Sequence, residues 1–155
     1  MLLTETCKFL RVNAAVGAGT NTITTDVVDM AQDGGFDGVA FLVNTQTLAA
    51  TTDVDFVVQA AGASDFTGGK DVSNGTLAIA DDDDNHLVVI DVQHPPGQYV
   101  ALTTTIGTAN AAFGEFIAVL YRGHHMPVSY ADNATTIVHQ SVNGALADSL
   151  TTQGS

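Results

Sequence analysis

The run Asp81-Asp82-Asp83-Asp84-Asn85 is the densest set of potential metal ligands in the chain, because hard cations such as Ca2+ collect several oxygens and four adjacent carboxylates supply them. The spacing argues against a dedicated site. An EF-hand loop places ligands at alternating positions, with a glycine sixth and a glutamate twelfth, whereas the twelfth residue counted from Asp81 is Val92. The run reads as a solvated hairpin loop, and weak, low-specificity cation binding is the most that Asp81, Asp82, Asp83 and Asp84 support. Five histidines, His86, His94, His124, His125 and His139, form no HxH or HExxH spacing. His86 opens a strand and His94 precedes Pro95, so both read as turn residues. His124-His125 stands at the entrance of a C-terminal tail, where partial protonation near or below a pH of about 6.5 lends positive charge to an acidic molecule.

Nucleophilic chemistry finds no better footing. Ser64, Ser73, Ser129, Ser141, Ser149 and Ser155 lie outside any GxSxG turn, and Cys7 has no acid or histidine signature beside it. A lone cysteine forms no intramolecular disulfide and reads as a small apolar residue. Gly17-Ala18-Gly19 resembles a fragment of a phosphate loop, yet neither a helix pattern nor a suitably placed lysine follows. No enzyme and no cofactor are expected.

The elements around these residues are strands. Asp is far commoner than Glu, and it prefers turns and caps, where its short side chain bonds nearby amides. Short apolar runs separated by Gly, Asn and Asp clusters predict strands near Lys8–Asn13, Thr20–Thr25, Val39–Asn44, Asp55–Ala61, Gly75–Ala80, His86–Val92, Tyr99–Thr105 and Glu115–Tyr121. Residues 53–59 and 87–92 crowd apolar side chains at positions two apart, the pattern of a half-buried strand. By contrast, Gly38-Val39-Ala40-Phe41-Leu42-Val43 is apolar on both faces, which fits a central strand whose outer side is shielded by a loop or a neighbouring subunit. Positive φ is expected at Gly17-Ala18-Gly19, Gly34-Gly35, Gly68-Gly69 and Asn74-Gly75. Val27–Ala31 reads as a short helical turn or an irregular strand. The fold class is therefore all-β, an antiparallel sandwich of about eight strands.

At 155 residues the chain is one domain's worth, large enough for a core without staples. Seventeen acids against four Lys and Arg give a net charge of −13, which repels phosphate backbones and makes nucleic acid and anionic membrane poor partners. The start, MLLTETCKFLRVN, is broken by Glu5, Lys8 and Arg11 before it reaches a signal-peptide apolar run, and nothing approaches the ~18 apolar residues of a membrane span. The product is expected in the cytoplasm of the cell that makes it unless it leaves as part of a particle.

One segment joins the two halves of this reading. GEFIAVLYRGHHMPVSY begins as a core-closing strand and runs into a tail where Pro127 stops simple continuation. Residues 1–121 are read as the sandwich and 122–155 as a C-terminal arm. Val128, Tyr130, Ile137, Val138, Val142, Leu146 and Leu150 make the arm too apolar for a typical disordered tail and too sparse for a core. Such a segment gains stability by lying on another chain. Arg122, His124, His125, Met126, Pro127, Val128, Tyr130, Ile137 and Val138 are the candidate interaction residues, with Arg122–Val128 as a hinge.

NAAVGAGTNTITTDVVDMAQDGGFDGVAFLVN, HLVVIDVQHPPGQYVAL and FIAVLYRGHHMPVSYADN together resemble a family of tailed-bacteriophage head decoration (cement) proteins, from about Asn13 to Asn133. The resemblance is one of layout and brings no catalytic residues. Members tend to be basic just before the Pro-Val pair, where this chain has His124 and His125. It implies a jelly-roll-like sandwich and a place on the outer capsid surface of a virion. The implied partners are the major capsid protein and further copies, as a homotrimer or homodimer. The other expectations from the sequence are a carbohydrate- or receptor-binding appendage module and a tail-tube or head-completion subunit. With no Trp and only Tyr99, Tyr121 and Tyr130, the chain is thin in sugar-stacking rings.

Overall fold

A computed structural model describes residues 2–130 and 136–138. One helical turn, α1 (Leu3–Thr6), precedes ten strands: β1 (Lys8–Asn13), β2 (Val16–Gly19), β3 (Ile23–Thr24), β4 (Val28–Asp29), β5 (Phe36–Leu48), β6 (Asp53–Ala61), β7 (Lys70–Ala80), β8 (Leu87–Gln93), β9 (Tyr99–Gly107) and β10 (Ala111–Gly123). They form two antiparallel sheets. One has the order β1-β10-β5-β8 with β2 also on β10, and the other has β3-β9-β6-β7 with β4 also on β9. Along the chain the pairing is nested: β1 takes β10, β3 and β4 take β9, β5 takes β8, and β6 takes β7. A long hairpin rolled in this way is a jelly roll.

The eight strands expected from the sequence are all present, and the two further ones are the short β2 and β4. Gly17-Ala18-Gly19 was expected as a positive-φ turn. It lies instead in β2, which pairs with β10 through Gly19–Ala111 and Val16–Phe113. Glycine permits a left-handed conformation without requiring it, and the ladder with β10 decides here. Val27–Ala31 contains β4 and the turn after it, the irregular-strand alternative. Positive φ does occur at Gly34, Gly35, Gly68 and Asn74.

Period-two alternation builds the core between the sheets. Val54, Phe56 and Val58 of β6 point inward while Asp53 and Asp55 face solvent. Val100, Leu102 and Ile106 of β9 meet Val39, Phe41 and Val43 of β5 and Phe116 and Leu120 of β10 in one continuous cluster. Phe113 packs edge-on against Phe56, with ring centroids 5.9 Å apart at 77°, and tilts against Phe116 at 5.8 Å. Such pairs add about 0.5–1.5 kcal/mol beyond area burial.

One core position breaks the pattern. Thr104 of β9 is fully buried, and its hydroxyl has no hydrogen-bond partner among the described residues. An unpaired buried hydroxyl costs about 1–3 kcal/mol. Thr104→Val keeps the branched shape and β propensity while removing that hydroxyl, so chemical denaturation should show stability rising by about 1 kcal/mol. Loss of stability would mean that the hydroxyl is satisfied.

Candidate functional site

The arm begins where β10 ends, two residues beyond the expected Tyr121. Gly123 still pairs with Phe36, and Arg122 takes φ 52, a left-handed step that turns the chain back along the β4–β5 connection. His124 then donates its backbone N–H to the Gly35 carbonyl (2.9 Å), and its Nε2 lies 2.7 Å from Asp37 Oδ1. That bond, helped by the nearby charges of His124, His94 and Arg122, holds the Asp37 carboxyl below the usual aspartate value. His125 packs where a side chain at Gly34 would otherwise stand.

Beyond Met126-Pro127 the segment is fastened to the N-terminal residues. Val128 is buried in the core cluster, and its N–H donates to the Glu5 carbonyl at 2.9 Å. Ser129 N–H donates to Asp33 Oδ2 (3.1 Å), the same oxygen that receives Lys8 Nζ at 3.1 Å. Lys8 is only 2% exposed, so Asp33 offsets a charge withdrawn from water. The Tyr130 hydroxyl donates to the Cys7 carbonyl (2.9 Å) and accepts from Phe9 N–H (3.2 Å), while burial raises its pKa. Farther on, Thr136 Oγ1 donates to the Phe9 carbonyl at 2.9 Å, and Ile137 stands fully in solvent beside Val138. The described segment thus lies along β1 and α1 of its own sandwich. His139, Val142, Leu146 and Leu150 fall outside the described residues.

Two carboxylates of the aspartate run cap backbone amides. Asp81–Asp83 form a 3-10 turn between β7 and β8. Asp81 Oδ2 accepts from Thr51 N–H (2.9 Å) and Asp83 Oδ2 from Ala80 N–H (3.1 Å). The Thr45 hydroxyl donates to the Asp83 carbonyl at 2.6 Å. Among the described residues no group of three or more His, Cys, Asp or Glu side chains is arranged to hold a metal.

The feature that the sequence only hinted at is a contrast between the outer faces of the two sheets. The β6–β9 face carries Asp53, Asp55, Gln59, Thr103 and Thr105. The other sheet turns outward two apolar rows: Arg11–Ile117–Leu42–Val89 and Phe9–Val119–Ala40–Asp91. Leu87 and Val89 are 60% and 52% exposed, so this side is open at β8. Arg11 pairs with Glu115 at 3.7 Å. In the next row Tyr121 crosses Gly38, where any side chain would collide with its ring, and donates to Asp91 Oδ1 at 2.6 Å. Burial, with the Asp91 bond and charge behind it, pushes the Tyr121 pKa up to about 12.

No protein-family model and no curated protein matches the sequence. Among solved structures, the PBSX exported protein XepA aligns with a TM-score of 0.54 and 13% identity over 96% of this chain and 47% of its own. This chain thus spans about half the length of that protein and shares its fold. A structure described as Bacillus endospore appendages, disulfide-linked pili, aligns with a TM-score of 0.45 and 21% identity over 76% of this chain and 88% of its own.

Two consequences are measurable. Asp33→Asn keeps a residue that tolerates the φ of 51 at this position but removes the charge facing Lys8, and should cost about 1–3 kcal/mol in denaturant unfolding. Because the Tyr121 pKa is raised, this group's contribution to stability is complete below pH 10 and lost as pH rises through about 12. Ultraviolet titration should therefore show one tyrosine ionising near pH 12, a transition absent in Tyr121→Phe and moved lower in Asp91→Asn.

Proposed function

We propose that the chain is a structural particle protein, a decoration (cement) subunit on the outer capsid surface of a tailed-phage virion. The observation that carries this reading is the segregation of the two outer faces, one apolar and one acidic, on a sandwich with no catalytic cluster among its described residues. An apolar sheet face suits a permanent contact. With a net charge of −13 the molecule is repelled by packaged DNA and favours the outside of a shell. The work is mechanical: each copy adds a modest contact, and symmetry around a closed shell multiplies it.

In this reading the major capsid protein meets the arm side of the subunit. Met126 is half exposed and Ile137 wholly so, and the pinned backbone on either side of Met126 presents it without a large ordering cost. Arg122, His124 and His125 border the same region.

The test is to add purified protein to expanded shells that lack it, then follow cosedimentation and survival of heat and low salt. Saturable binding with a gain in survival is expected. Binding without any gain, or no binding, would sink the cement role. Because Val128 belongs to the core, the truncation that tests the arm ends after Val138; with its melting temperature matched to that of the full chain, shell binding should weaken at least tenfold if residues 139–155 reach the shell.

A further inference from the structure

The outward side of the β1-β10-β5-β8 sheet, open at β8 and bordered at β1 by Thr136 and Ile137 beside Phe9, Arg11 and Ile117, has the charge layout of a self-complementary surface. Its centre is uncharged: Ile117 and Val119 of β10 lie beside Leu42 and Ala40 of β5. Arg11 stands on β1 at one edge, and Asp91 on β8 at the opposite edge, in the adjacent same-face row. Three strand spacings and two residues along the strand separate them, roughly 14 Å across and about 7 Å along. A two-fold axis lying in the plane of contact and tilted from the strands exchanges these corners. Each Arg11 then meets the other copy's Asp91 on either side of a dry centre. Among the described residues of this face Glu115 also carries charge, 3.7 Å from Arg11, and Asp91 Oδ1 accepts from the Tyr121 hydroxyl, so each new pair adds to a bond already made.

Charge also decides what can approach. Two copies of net charge −13 repel each other over most of their surfaces, and the β6–β9 side would oppose Asp53 and Asp55 to their own kind. The β1-β10-β5-β8 side avoids this penalty.

We propose that this face is a homotypic interface, covered in solution by a second copy of the chain through reciprocal Arg11–Asp91 pairs around Leu42, Val89, Ile117 and Val119. The contact is isologous, so each subunit supplies both halves of the match. It deepens the particle-subunit reading by naming one partner and the surface that partner uses.

Sedimentation of the full chain across a concentration series tests it without any shells, so self-association and shell binding can fail separately. The wild type should reach twice the 16.0 kDa chain mass. Arg11→Asp and Asp91→Arg should each raise the dimer dissociation constant at least tenfold, because each homodimer then opposes like charges twice. An equimolar mixture of the two variants should recover dimer, since both contacts become complementary in the heterodimer. Val89→Arg should weaken association without changing the melting temperature. A wild type that stays monomeric, or an oligomer indifferent to all three substitutions, would overturn the interface. So would single variants that the mixture fails to rescue, or a chain that dimerises only after truncation past Val138, which would mean that its own C-terminal residues cover the face.

Discussion

The pairing of β5 with β10 imposes the constraint from which the rest follows. Both strands are thirteen residues long and apolar on two sides. Inward, Phe41, Phe116 and Leu120 meet the second sheet and make the core. Outward, Ala40, Leu42, Ile117 and Val119 make a half-buried apolar surface, bordered by Thr136 and Ile137 at its β1 side. A sheet face of this kind is costly to leave in water, at about 25 cal/mol per Å² of apolar area. A strand pair that solved only the folding problem would alternate, as β6 does with Asp53 and Asp55 beside Val54 and Phe56.

The acidic residues fit the same division. Asp53 and Asp55 stand on the β6–β9 side, several turn acids cap backbone amides, and among the described residues of the apolar sheet face Glu115 and Asp91 are both engaged. In the proposed assembly, repulsion among copies acts as a filter that disfavours contacts through the acidic side. Apart from Asp91, negative charge bears less on the strength of such a contact than on which contacts form.

The fold was largely legible because strands announce themselves by alternation and glycine punctuation, and eight such signals lie where eight strands form. β4 has two residues and β2 has four with two glycines, too few side chains to register a period; tertiary pairing with β9 and β10 makes them strands. The two-sided apolar pattern of residues 38–43 did point to a surface needing cover. The fastening of residues 124–130 was not legible, because it depends on Lys8, Asp33 and Glu5, more than ninety residues upstream in sequence, and no local pattern encodes a shared oxygen such as Asp33 Oδ2. Nor was the Tyr121–Asp91 bond, which relies on Gly38 being bare between them. The aspartate run shows the opposite error risk: dense in carboxylates, it uses Asp83 on its own turn and Asp81 on the neighbouring Thr51 loop.

Side-chain footprinting by hydroxyl radicals, comparing dilute monomer with protein assembled on shells, tests most directly whether the apolar sheet face is the one that assembly covers. Protection of Leu42, Val89, Ile117 and Val119 with undiminished reactivity along the β6–β9 side is the predicted result. Protection of the β6–β9 side, with Val89 and Leu87 still reactive, would contradict it.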